Sequence, residues 1–150
     1  MRIIDIDHVI PAPIEKAFAF MTEVENYLAM PGVLRAELLT PGHPTPPGAG
    51  AIREVVLPGL KLIEHIEVYR PPTFMRYRII RSLPPLRHEH GFMAFTEVPD
   101  GTRVRWFTEY EVAAPLSGPL TLVADPVIRA GFRLLLHTAD RELSGADDDR

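Results

Sequence analysis

The chain contains no cysteine. That excludes disulfides, thiolate metal ligands and a cysteine nucleophile together. No uninterrupted apolar run approaches the length of a bilayer-spanning helix. The first ten residues, MRIIDIDHVI, carry acids where a secretory signal would need apolar residues, so a cytoplasmic location without stable membrane anchoring is expected. Excess positive charge is missing too: the formal net charge is −4. Arg76, Arg78, Arg81 and Arg87 cluster, but an acidic total argues against nucleic acid, whose binding rests on phosphate neutralisation. There is no G-x-S-x-G, no H-E-x-x-H and no Walker loop; Gly48-Ala49-Gly50 lacks the following Lys-Ser/Thr and reads as a turn.

What is present suits one globular domain. The 150 residues are 46% apolar and 24% charged, enough for one core and too few for two. Arginines outnumber lysines 14 to 2 and there are 16 prolines, features of genomic composition or heat tolerance.

Periodicity gives an order of elements. Ile4, Ile6 and His8 alternate with Asp5, Asp7 and Val9 as a first strand. PAPIEKAFAFM opens a helix with Pro13 at its first position and Ile14, Ala17, Phe18 and Met21 as its apolar stripe. EVENYLAMPG predicts a short second helix stopped at Pro31-Gly32. Six strands follow, with a Pro/Gly-rich loop at PGHPTPPGAG and hairpin signals at Pro58-Gly59, Pro71-Pro72 and Pro99-Asp100-Gly101. Leu120, Val123, Val127, Ala130 or Gly131, Leu134 and Thr138 then recur at helical spacing. This predicts a long helix kinked or restarted at Pro126, with Asp125 as a cap, and a frayed acidic tail over 144–150.

This order resembles the START / polyketide cyclase–dehydrase superfamily. IPAPIEKAFAFMTEVENYLAMPGV is similar to that family's opening segment, and GAGAIREV, IEHIEVYRPPTFMRYRI and FTEVPDGTRVRW to its central strands. The resemblance runs from about Ile3 to Leu143, treated as one domain over 1–143. The chain departs in carrying Glu23 where an Asp is common and Leu28-Ala29-Met30 where a Trp often stands, with one residue fewer between Tyr27 and Pro31. The resemblance implies an α+β helix-grip fold: a curved seven-stranded antiparallel sheet wrapped around the long C-terminal helix and enclosing a cavity. It further implies a lipid, quinone or polyketide-like ligand, sometimes a cyclisation or dehydration, and it allows a homodimer. The fold does not choose among these.

Alternation sorts the strand faces. TRVRWFTEYEV turns Val104, Trp106, Thr108, Tyr110 and Val112 inward against Arg103, Arg105, Glu109 and Glu111. TFMRYRII turns Met75, Tyr77 and Ile79 inward. KLIEHIEVY is mixed on both faces, and the resemblance favours Glu64 and Ile66 inside. HEHGFMAF is open in register. Pairing Val98 with Thr102 would bring His88 and His90 to the face of Trp106, whereas pairing Val98 with Arg103 would bring Glu89, Gly91, Met93 and Phe95. The family pattern favours the second, which leaves both histidines in solvent. An H-x-H metal site also lacks a third ligand, since Glu97 is seven positions on. No metal and no cofactor is therefore expected.

The polar candidates follow. A hairpin turning at Pro58–Leu60 pairs Arg53 with residue 64 or 65, so Arg53 can answer the Glu64 carboxylate. Such a pair either orders the sheet or anchors a ligand. Glu89 has no evident partner and is the more interesting acid. Glu89, Glu64, Tyr77 and Tyr110 are the candidate catalytic residues. Arg53, Glu64, Ile66, Met75, Tyr77 and Glu89 are expected to face the ligand, together with Met93, Phe95, Trp106, Tyr110 and Leu134. Arg133 and His137, one turn apart, read as surface residues. Three readings compete: a carrier of a small hydrophobic ligand, a cyclase or dehydratase of the same fold, and an interaction module with an incidental cavity.

Overall fold

The computed structural model describes residues 2–112 and 117–148. Its elements are β1 (Arg2–Ile10), α1 (Ile14–Thr22), a 3₁₀ helix (Val24–Ala29), β2 (Arg35–Thr40), β3 (Ile52–Leu57), β4 (Leu60–Arg70), β5 (Phe74–Leu83), β6 (Leu86–Val98), β7 (Gly101–Val112) and α2 (Ser117–Asp148). The seven strands form one antiparallel sheet in the order β1-β7-β6-β5-β4-β3-β2. β2 to β7 meander, and β1 closes onto β7. The helix α2 packs against β1, β7 and α1, as the helix-grip arrangement requires.

α1 forms where its stripe predicts. Ile14, Ala17, Phe18 and Met21 are all buried. Pro13 stands just outside the first turn with φ −58°, which suits a helix start where no side chain caps the backbone. The 3₁₀ helix is fastened to α1 by Tyr27, whose hydroxyl donates to the Met21 carbonyl at 2.6 Å. Gly32 ends the segment with φ +93°, a conformation that favours glycine.

The strand faces follow the alternation. Ile4 and Ile6 of β1 and Val104, Trp106, Thr108 and Tyr110 of β7 are buried on the concave side; the Val112 side chain lies outside the described residues. On the outer face Asp5 and Asp7 meet Arg105 and Arg103 across the β1–β7 ladder at 2.8 and 3.0 Å. The β3–β4 hairpin turns at Pro58-Gly59 and sets Arg53 opposite Glu64.

β6 corrects the sequence reading in one respect. Val98 pairs with Gly101 across a two-residue loop, tighter than either register considered. This keeps the parity of the favoured one, and Gly91, Met93 and Phe95 face inward. A bulge between His88 and His90 then reverses the parity: His88 pairs with Tyr110 and His90 with Glu109. His88 therefore joins the concave face and is only 6% exposed, whereas the alternation placed it in solvent. Glu89 is the extra residue of the bulge, and its side chain lies outside the described residues.

α2 corrects another. It does not restart at Pro126 but continues as one helix to Asp148, past the start of the expected tail. Asp125 does not cap a new helix; its carboxylate receives Tyr110 and Arg129. The inward face carries Ile128, Phe132, Leu135 and Ala139, while Leu134 is 39% exposed. Three consecutive leucines, 134 to 136, let the apolar pattern be drawn along two neighbouring stripes, and packing selects the other one. Leu120 and Val123 have side chains outside the described residues.

Gly91 has a specific job. Tyr77 is its cross-strand partner and lays its ring over the glycine, so a Cβ there would run into Tyr77 Cζ. Gly91→Ala is expected to destabilise the fold by about 1–3 kcal/mol, the usual cost of overpacking. Urea titration would show a lower midpoint with an unchanged slope; an unshifted midpoint would mean that the ring moves aside freely.

Candidate functional site

Between the concave face and α2 lies a cavity of about 280 Å³. Its walls are mostly apolar, with Val55, Leu62, Ile79 and Leu86 from the sheet and Phe132 and Leu135 from the helix. The β3–β4 turn and the exposed Val127 stand at its rim. Four polar groupings reach it, and each is built by a different part of the chain. A second hollow of about 380 Å³ lies beyond Arg53, between α1's end and the Thr45–Pro47 loop.

The first grouping is the buried pair. Arg53 Nε donates to Glu64 Oε1 at 2.9 Å, and the hairpin register brings them opposite one another as expected. Arg53 also donates to the Thr22 carbonyl at 3.2 Å and to the Tyr27 hydroxyl at 3.4 Å. Burial opposes a charge here, but Tyr27 and Glu64 outweigh it and hold the guanidinium above its ordinary pKa. The cavity wall thus carries a plus and a minus that cancel.

The second and third groupings meet. Trp106 Nε1 donates to the Tyr77 hydroxyl at 2.9 Å. The β5–β6 ladder pairs Phe74 to Tyr77 with Ala94 to Gly91 and goes no further, so the backbone N–H of Ile79 would have no strand partner. The His88 ring takes that place: Ile79 N–H donates to Nδ1 at 2.9 Å. A nitrogen that accepts cannot carry the hydrogen, so the neutral ring bears it on Nε2 and donates to Thr108 Oγ1 at 2.6 Å. Burial, with His90 and Arg78 nearby, lowers the His88 pKa to about 4. Its ring stacks on Tyr77 with centroids 5.5 Å apart. Burial and the Glu64 charge push the Tyr77 phenol well above its ordinary range.

The fourth grouping ties the end of β7 to α2. Tyr110 donates to Asp125 Oδ1 at 3.1 Å, and Arg129 holds the other oxygen at 3.0 Å. Burial and this bond push Tyr110 up to about 12. Asp125 lies below its ordinary value: burial works against this, and the bonds from Arg129 and Tyr110 prevail.

Of the residues expected at the ligand, Arg53, Glu64, Tyr77, Trp106 and Tyr110 line the cavity. Ile66, Met75, Met93 and Phe95 are buried in the core and are not part of its lining. Leu134 points away, and Leu135 takes its place. His88, Thr108, Tyr27 and Phe132 line the cavity without having been singled out as ligand contacts. Thr108 and Phe132 had a signal, a buried strand parity and a helical stripe; His88 had none, because a bulge leaves no mark in an alternating pattern.

The H-x-H pair does not converge on a metal, since His88 faces the cavity and His90 lies near Glu109 on the other face. A different trio has the chemistry for one: His8, His137 and Asp140 present ligand atoms within 4.8 Å of each other. There, His8 Nε2 already bonds both Asp140 oxygens at 2.9 and 2.8 Å and ties β1 to α2.

The polyketide cyclase / dehydrase and lipid transport family matches residues 1–143. The chain belongs to this family. Among solved structures, family-like folds include TTHA0849 from Thermus thermophilus, with TM-score 0.77 and 19% identity over 97% of this chain and 99% of that one. A START superfamily protein from Mycobacterium smegmatis follows, with TM-score 0.74 and 12% identity over 96% and 98%. DynU16, described as a putative protein in the dynemicin biosynthetic locus, gives TM-score 0.63 and 14% identity over 95% of this chain and 47% of that one. No curated protein matches the sequence. At these identities the structures establish the fold, and the cavity must speak for the chemistry.

Two outcomes test the wiring. For Arg53→Met and Glu64→Met, each single substitution is expected to cost roughly 3–5 kcal/mol because it strands a buried charge. The double should cost less than either single, with a coupling above about 1 kcal/mol in a denaturation cycle. Additive effects would mean that the two charges are independent. His88 gives a pH signature. Its folded-state pKa of about 4 lies below the ordinary 6.5, so the unfolded chain takes up the proton first. Its contribution is complete above about pH 6.5 and is lost as pH falls towards about 4, by roughly 3 kcal/mol at about 1.4 kcal/mol per unit. Wild type should lose more stability than His88→Gln over that interval, and parallel losses would refute a neutral, buried ring.

Proposed function

We propose that this family member binds a small hydrophobic ligand in the cavity between sheet and helix. The observation that carries the reading is an apolar chamber whose ionisable lining groups, among the described residues, are already paired or neutral. Its volume of about 280 Å³ sits near the lower end of the ~300–1,000 Å³ typical of ligand pockets. That suits a lipid fragment, quinone or aromatic polyketide-like molecule of two or three rings more than a long-chain lipid.

The polar groups support binding over catalysis. A general acid or base needs a proton that it can exchange near neutral pH. Glu64 is held by Arg53, both His88 nitrogens are engaged, and Tyr77 and Tyr110 are pushed to higher pKa. The open chamber also speaks against an interaction module, for which packing side chains would fill the space. No described helix is long and apolar enough to cross a membrane. The reading takes the protein to work in the cytoplasm, alone or as a homodimer.

Gly131 provides the test. It lines the cavity from α2, and a Cβ built on it meets nothing within 4 Å. A side chain can therefore start at this position, so Gly131→Phe should direct its ring into the chamber, and it replaces a poorer helix former with a better one. Native mass spectrometry of freshly purified wild type, against a denatured control, should show an organic adduct of roughly a few hundred daltons, in keeping with the pocket size. The variant should melt no lower and lose the adduct. Retention of the adduct by Gly131→Phe would place the ligand elsewhere.

A further inference from the structure

Resting on the ligand-binding reading, we infer that the ligand is an uncharged carbonyl compound whose oxygen accepts a hydrogen bond from the Tyr77–Thr108 hydroxyl pair. The hydroxyls own more hydrogens than the wall has acceptors for. Trp106 Nε1–H can only donate, and it donates to Tyr77 Oη at 2.9 Å. The Ile79 N–H can only donate, and it occupies His88 Nδ1, so His88 gives its single hydrogen to Thr108 Oγ1. Both hydroxyls are thus supplied from behind as acceptors, and each still owns a hydrogen. Were one hydroxyl to give its hydrogen to the other, the second would still keep its own. At least one hydrogen is then left over. No other acceptor for it is recorded among the described residues.

Position makes this surplus meaningful. Tyr77 is 2% exposed and Thr108 3%, so bulk water does not reach the pair freely, and both line the cavity. An unused donor in an apolar chamber costs free energy until something accepts from it. The backing also fixes direction. Trp106 and the stacked His88 hold the Tyr77 ring, and Gly91 beneath it leaves the ring no side chain to ride over.

Charge narrows the class. A carboxylate ligand would need a cation to offset its burial, but Arg53, the arginine among the described lining residues, already holds Glu64 at 2.9 Å. The next carboxylate in the chamber would face Glu64 without compensation. A ketone, quinone or ester accepts equally well and brings no charge.

Three probes sharing one ring system separate the possibilities: 2-acetylnaphthalene, 2-isopropylnaphthalene and 2-naphthoate, each measured by equilibrium dialysis against the full chain. The ketone should bind wild type roughly five- to tenfold more tightly than the hydrocarbon, the worth of one neutral hydrogen bond, and more tightly than the acid. In Tyr77→Phe/Thr108→Val that preference should vanish while hydrocarbon binding persists. The bound ketone's C=O stretch in wild type, read by infrared difference, should fall below its value in hexane; this needs no variant to fold. Equal binding of ketone and hydrocarbon with an unshifted stretch would overturn the inference and leave the cavity reading intact. Binding of none of the three would remove the cavity reading, and this inference with it.

Discussion

The arrangement depends on a charge pair that has been taken out of water. Arg53 and Glu64 sit opposite each other on β3 and β4, and the guanidinium reaches on to the end of α1 and the hydroxyl of Tyr27. One side chain thus joins two strands, a helix terminus and the 3₁₀ helix. A buried ion pair of this kind does not add much net stability, because desolvation offsets the attraction. What it does is restrict alternatives: a hairpin slipped by one residue would leave two charges stranded in apolar surroundings. The pair also leaves the chamber electrically neutral, which an apolar guest requires.

A second constraint is geometric. The β5–β6 ladder does not run the length of its strands: the two separate after Tyr77. The split exposes backbone groups that secondary structure would otherwise satisfy. His88, re-aimed by the bulge, supplies the missing acceptor, and its other nitrogen reaches Thr108 on the next strand. The same place that departs from regular sheet geometry is therefore where the chamber's polar wall is assembled.

How much of this was legible in the sequence depends on whether neighbouring residues encode it. The β3–β4 hairpin was readable, since Pro58-Gly59 sets the turn and the turn sets the Arg53–Glu64 pairing. The inward faces of β5 and β7 were readable because alternation is local. The bulge at His88–His90 was not: one extra residue reverses parity, and nothing nearby marks which residue is the extra one. Nor could the helical stripe be settled, since Leu134, Leu135 and Leu136 are equally apolar and only the approach of the sheet chooses among them. The Tyr77–Gly91 contact lies between, visible as a glycine in a strand and explained only once its neighbour across the ladder is known.

The closure of the sheet carries a consequence for the order of assembly. β1 pairs with β7, so Arg2 lies against Tyr110 and Asp5 against Phe107. A ribosome delivers β1 early and its partner about a hundred residues later, which at ~5–20 residues per second is a wait of roughly five to twenty seconds. During that interval β1 is an unpaired strand with an apolar face, the kind of segment that invites association with other chains. Asp5 and Asp7 are its protection, since like charges on two waiting copies repel. When β7 emerges, Arg105 and Arg103 arrive at matching intervals, and the repulsion that guarded the strand becomes attraction across the ladder.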